Sequence, residues 1–177
     1  MNNEEKLLAL EDALKRLNGV NVIIEDEQGR ILVGRSTYGE KKFMLPGGAV
    51  ERGELYKHAT VTETQEETGY IIQEENLELI AYFVQRIKNV QSASGTVFLY
   101  KTNKSEKDEI LSSSPEMTDV QFMSCEDILK RQQEFGLGYF RMILMFMRIK
   151  AGYEKAPKEA RLSDTVEYFV GGDRYAA

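Results

Sequence analysis

Glu63, Glu66 and Glu67 stand at i, i+3 and i+4 in one short window, with Glu54 shortly before them. On a helix, residues at that spacing project from one face, so three carboxylates would share a side. Like charges so placed repel by about 0.2–0.5 kcal/mol per pair in an isolated helix. Lys57, at the start of residues 55–68, is the only lysine or arginine among them. A hard divalent cation is the natural partner, since Mg²⁺ takes oxygen ligands and keeps several waters. Soft-ligand transition metals fit less well, because only His58 and Cys125 offer a ring nitrogen or a thiol. A solvated acidic helix face is the plain alternative, and the carboxylates alone do not separate the two. Pro46-Gly47-Gly48 adds a second wall. Two glycines let backbone approach a ligand closely and free a carbonyl to face a metal, although a bare Pro-Gly-Gly is otherwise only a turn.

The elements that must hold these groups can be read in outline. Residues 55–68 form the acidic helix, with Gly69 as its C-cap. Thr60, Val61, Thr62 and Thr64 are modest helix formers, so the carboxylate spacing carries that assignment. Residues 20–25 and 30–35 read as a hairpin across Asp26-Glu27-Gln28-Gly29, and Phe43-Met44-Leu45 as a short apolar piece stopped by Pro46. Strands follow at 77–86 and 96–101 with a polar turn region between them. A charged, serine-rich surface loop occupies 103–114, then come a strand at 120–123, a short helix at 125–132 and an apolar helix at 138–151. Its stripe Phe140, Ile143, Leu144 and Met147 is core at helical spacing. Leu7, Leu10, Leu14 and Leu17 mark an N-terminal helix over 4–17. These leucines and the methionine-rich stripe leave a homodimer interface open. The tail, with its apolar knot at 166–170, either crosses a partner subunit or is partly unfolded.

A chain of 177 residues, 42% hydrophobic and 29% charged, suits one ordered domain, here 1–177 with a core at about 19–152 and a C-terminal extension at 153–177. A net charge of -6 argues against a dedicated nucleic-acid binder, so phosphates would be met locally, by a metal or a few placed cations. The single Cys125 forbids an intramolecular disulfide, suits a reducing compartment and reads as a packing residue. The acidic start Met1-Asn2-Asn3-Glu4-Glu5 is unlike a secretory leader, and the apolar run 139–149 is too short to span a bilayer and contains Arg141 and Arg148. The expectation is a soluble cytoplasmic protein without a membrane partner.

Taken together, these residues resemble the Nudix box: Gly, five residues, Glu, seven residues, then Arg-Glu-aliphatic-any-Glu-Glu-any-Gly-aliphatic. The frame here is Gly48, Glu54, Thr62, Glu63, Thr64, Gln65, Glu66, Glu67, Thr68, Gly69, Tyr70, with six of seven named letters matched. The approach through Ile31-Leu32-Val33-Gly34-Arg35 and Leu45-Pro46-Gly47-Gly48 also looks like the family's. Thr62 stands at the arginine position and Thr64 at an aliphatic one. In the family that arginine orients a box glutamate, and loss of such an orienting partner commonly costs roughly 10- to 100-fold in metal affinity or activity. Thr64 is the milder change, since its methyl can pack while its hydroxyl bonds the preceding turn.

The resemblance implies an α/β (α+β) fold, a Nudix-like α/β/α sandwich with a mixed sheet, carrying here an N-terminal helix, a C-terminal helix and a tail. It implies Mg²⁺-dependent hydrolysis, with Mn²⁺ as a substitute, of a pyrophosphate bond in a nucleoside diphosphate derivative, a small nucleotide-like partner. Glu63, Glu66, Glu67 and the Gly47 carbonyl would bind metal, and Glu66 or Glu63 would act as catalytic base. Glu116 is the candidate for an extra carboxylate from a later loop, with Glu109 behind it. Arg35 and Arg86, with Lys42, are candidates for substrate phosphates. Either Tyr82 or Phe83 could stack on a base, the other turning into the core. His58, alone near the helix start, reads as a surface or packing residue. Nothing singles out ADP-ribose, dinucleoside polyphosphates, coenzyme A or NADH. The alternative is a catalytically weak or inactive Nudix-fold module that binds a nucleotide or protein; Thr62 favours it, and the intact glutamates oppose it.

Overall fold

The computed structural model describes residues 18–87, 90–103, 114–152, 165–170 and 173–176, the last two segments and residues 85–87 and 90–92 as backbone only. The expected helix over 4–17 and Glu109 lie outside the described residues. Strands β1 (Asn18–Glu25), β2 (Ile31–Ser36) and β3 (Phe43–Met44) lead to helix α1 (Tyr56–Thr68). Then follow β4 (Glu78–Ile87), β5 (Val90–Lys101), β6 (Met117–Met123), α2 (Cys125–Lys130), α3 (Leu137–Lys150), β7 (Thr165–Val170) and β8 (Asp173–Ala176).

The strands make one mixed sheet in the order β3-β2-β1-β5-β4-β7-β8, with β6 also paired to β2. β1 and β5 run parallel, and their neighbours antiparallel. Side chains alternate along each strand and so feed two cores. Ile23, Phe83, Val97 and Leu99 pack with Met142, Ile143 and Phe146 of α3. Val20, Val22, Ile24, Phe98 and Tyr100 pack with Ala59 of α1 and with Tyr70. Helices on both faces explain why β1 is apolar almost throughout. Truncating a fully buried aliphatic such as Ile23 or Ile143 to alanine costs about 2–5 kcal/mol.

Three details position the site. The hairpin closes only at Glu25↔Ile31, because β2 leaves to pair with β6 and β3. The edge of β1 so released is taken by residues 46–50: Val22 N–H donates to the Pro46 carbonyl at 3.0 Å and Val20 N–H to the Gly48 carbonyl at 2.9 Å. The strand expected from residue 96 starts instead at Val90, replacing much of the polar turn region. Gly19 pairs with Gly95 there, and a Cβ on Gly95 would collide with the Gly19 carbonyl. Close backbone approach, rather than β-propensity, dictates that glycine. The apolar knot in the tail is β7, which pairs with β4 of its own chain and extends the sheet.

Candidate active site

Helix α1 has no side-chain N-cap, and its last turn closes on Gly69, which lies at φ 71° and donates its N–H to the Gln65 carbonyl. The weak helix formers are accommodated by back-bonding. The buried hydroxyls of Thr60, Thr64 and Thr68 each donate to the carbonyl four residues earlier, at 2.7, 2.6 and 2.6 Å. This threonine stripe faces inward, and the glutamates ride beside it.

The three glutamates are not equivalent. Glu66 is exposed, Glu63 half-buried and Glu67 buried, at 5% exposure. Gly47 N–H donates to Glu67 Oε2 at 2.9 Å, and a Cβ on Gly48 would collide with the Glu63 carboxyl group. Gly47 also sits at φ 147°, which favours glycine. Both glycines are therefore demanded by the carboxylates pressed against them. Because the Pro46 and Gly48 carbonyls turn to β1, the Gly47 carbonyl between them turns away from it.

Burial pushes the Glu67 carboxyl up to about 8, opposed by the Gly47 N–H and reinforced by Glu63 and Glu116. Burial likewise pushes Glu63 up to about 7, with Glu66, Glu116, Glu54 and Glu51 adding to it. Glu116 is thus brought within electrostatic range of both. A cluster whose members raise one another's affinity for protons has an affinity for any other cation. Its donors are carboxylate oxygens and a carbonyl, the set a hard divalent ion takes. No three acidic, histidine or cysteine side chains among the described residues stand close enough to chelate an ion as placed. The chemistry of the donors fits Mg²⁺ or Mn²⁺, and closure onto it requires side-chain rotation.

Beyond Gly47 and Gly48 lies a cavity of ≈ 340 Å³, lined also by Asn21 and Phe83 of the sheet and Tyr139 and Met142 of α3. Tyr139 has its hydroxyl pushed up by burial and by Glu67, so cavity and carboxylates adjoin.

A family model described as the NUDIX domain matches residues 15–142. The chain belongs to the Nudix family. That membership makes it a pyrophosphohydrolase by class. The fold is similar to that of a MutT protein from Methanosarcina mazei Go1, at 25% identity and TM-score 0.60, over 78% of this chain and 96% of that one. It is also similar to a C. elegans Ap4A hydrolase in a binary complex, at 22% identity and TM-score 0.59, covering 77% and 98%. A third likeness is to a bifunctional NMN adenylyltransferase/ADP ribose pyrophosphatase from Francisella tularensis complexed with AMP and a Mn ion. It has 18% identity and TM-score 0.65 and covers 82% of this chain and 45% of that one. The last two show the fold alone. No curated protein matches the chain.

Within this Nudix frame, Glu54 has an orienting partner despite Thr62. Glu54 Oε2 accepts the Glu51 N–H at 2.9 Å, across a turn in which Gly53 lies at φ 83°. Arg35 stands apart from the glutamates. It donates to Glu134 at 2.9 Å and to the Lys41 carbonyl at 3.0 Å, lies 3.3 Å from Asp119, and stacks 4.0 Å from the Phe43 ring centre. The Lys42 ammonium donates to the Gln133 carbonyl at 2.8 Å. Arg86 lies on β4, its side chain outside the described residues. Phe83 turns into the core and Tyr82 outward. His58 is a surface residue 3.8 Å from Glu74. Cys125 packs near the Gly29 carbonyl, its thiol pushed up by burial. Among the described residues no helix is long and apolar enough to cross a membrane. Sequence reasoning passed over Asn21 and Tyr139. The available signal was Asn21 itself, the one polar residue in the run Val20-Asn21-Val22-Ile23-Ile24.

Proposed function

We propose that this Nudix enzyme hydrolyses the pyrophosphate bond of a nucleoside diphosphate derivative with Mg²⁺, for which Mn²⁺ substitutes. The observation carrying this reading is the mutually repelling pair of half-buried Glu63 and buried Glu67, pressed onto Gly47-Gly48 at the edge of a cavity of ≈ 340 Å³. That volume falls in the range of small-molecule sites. The AMP and Mn ion complexed with the Francisella relative, and the naming of the nematode one as an Ap4A hydrolase, support a nucleotide and a divalent ion.

Glu63, Glu66, Glu67 and the Gly47 carbonyl hold the metal, and Glu116 is the added carboxylate. When bound, the ion neutralises pyrophosphate oxygens and the charge developing on the leaving phosphate. Glu66 or Glu63 accepts the proton of the attacking water. Gly47 N–H keeps Glu67 in register, and the Glu51 N–H does so for Glu54, which answers the loss of the family's arginine at Thr62. Arg86 and Arg35 are the proposed phosphate contacts, Arg35 only after releasing Glu134 or Asp119.

The test is phosphate release, after phosphatase coupling, from nucleoside triphosphates, nucleotide sugars and dinucleotides, with Mg²⁺ and with chelator. Metal-dependent turnover of one class is expected. Absence of turnover across the panel, from folded protein, would favour the binding-module reading instead.

A further inference from the structure

Strand β1 places Val20, Val22 and Ile24 on the α1 face of the sheet and Ile23 on the α3 face. By alternation Asn21 shares the face of Ile23, where an aliphatic residue would be expected. It is 6% exposed and lines the cavity of ≈ 340 Å³. Among the described residues no group donates to, or accepts from, its carboxamide. Other buried polar side chains find partners, Ser94 in Asn18, Thr102 in Tyr70 and Asp26 in Arg30, whereas the sealed Thr96 hydroxyl has none. The Asn21 amide atoms open onto the cavity rather than being sealed from it, so their hydrogen-bonding capacity is available to an occupant.

Resting on the hydrolase reading above, we propose that Asn21 is a specificity-determining residue that reads the base of the substrate. A carboxamide presents one acceptor beside one donor pair, so it forms two parallel hydrogen bonds with a heterocycle edge carrying the complementary pair. An amino group next to a ring nitrogen, as in adenine, is such an edge. Phe83, 7% exposed on the same wall, gives the ring an apolar face to lie against. The position also joins base to chemistry. Asn21 Nδ2 lies 2.7 Å from where a Cβ on Gly47 would stand, and Gly47 N–H holds Glu67. A base docked on Asn21 therefore leaves its phosphates at the carboxylates.

The experiment measures kcat and KM on a diphosphate-sugar series differing only in base (adenine, guanine, cytosine, uracil) for wild type, Asn21→Leu and Asn21→Asp. Melting temperature and Mg²⁺ response serve as folding controls. Asn21→Leu keeps the volume and removes the hydrogen bonds. It is expected to lower kcat/KM for the preferred base about 10- to 100-fold, mainly through KM, and to narrow discrimination among bases. Asn21→Asp accepts only, and is expected to move preference toward guanine, which offers adjacent donors at N1 and N2. Equal loss on all four substrates, or no change, from folded variants would overturn the proposal and leave Asn21 as a holder of cavity water. If Asn21→Leu does not fold, the preference of Asn21→Asp alone decides. If wild type turns over nothing, the hydrolase reading has failed, and calorimetric binding of AMP, GMP, CMP and UMP to the same proteins still reads the role of Asn21.

Discussion

Glu134 and Glu67 carry the same side chain and are driven in opposite directions. Around Glu134 the fold gathers Arg131 and Arg35, both stacked on Phe43, and their hydrogen bonds pull its carboxyl down to about 2. Around Glu67 it gathers Glu63 and Glu116 in a buried setting, and the carboxyl rises to about 8. The first group is electrostatically complete and holds β2, β3 and the approach to α3 together. The second is complete only when a cation joins it. A folded protein that closes one acidic cluster with arginines and leaves the other open keeps the open one for a ligand.

Removing a member of the open cluster is the hardest test of this contrast. Glu67→Gln keeps the shape and the acceptor for Gly47 N–H but deletes a charge, and turnover is expected to fall about 100-fold or more while the melting temperature with chelator is held or raised. Unchanged turnover would break the comparison.

Acidity reads the same contrast without mutation. The folded carboxyls of Glu63 and Glu67 lie near 7 and 8 against an ordinary 4.5, so the folded state holds protons that the unfolded chain has released. Their contribution to stability is therefore fully present below about 4.5 and lost as pH rises through 7 to 8. Melting in chelator is expected to weaken between pH 5 and 8, and added Mg²⁺ to restore most at the upper end. Glu134 has the opposite sign, its contribution being present above about 4.5 and lost as pH falls toward 2. A melting curve in chelator that strengthens steadily up to pH 8 would contradict the open cluster.

Two smaller effects sharpen the boundary between the groups. Arg35→Ala is expected to lower the melting temperature by about 2–4 °C. A rise in KM at unchanged stability would instead place Arg35 on a substrate phosphate. Thr62→Arg is expected to change kcat/KM less than 10-fold, because the Glu51 N–H already orients Glu54. A larger gain would show that bond to be an inadequate replacement.

The glutamates were legible in the sequence because helical spacing is local: i, i+3, i+4 fixes a shared face before any tertiary structure is known. Gly69 as C-cap was legible for the same reason. Which glutamate is buried was not, since that depends on residues 46–50 docking on β1, a contact between segments distant in the chain. The first half of β5 was hidden because Gln91, Ser92, Ala93, Ser94 and Gly95 have little strand propensity, and pairing with β1 and β4 decides their state. The inward threonines were half legible: Thr64 does bond the preceding turn, but its place in a three-residue stripe needs the helix to be seen whole. That the tail joins its own sheet, rather than crossing a partner subunit or staying partly unfolded, was hidden because its partner, β4, lies far back in the chain.

The most direct measurement is calorimetric titration of the substrate-free protein with Mg²⁺ at pH 7.5, in buffers of different ionisation heat, for wild type and Glu67→Gln. The account predicts saturable binding with release of protons from Glu63 and Glu67, and weaker binding with fewer protons released in the variant. Equal affinity and equal proton release in the two proteins would contradict it.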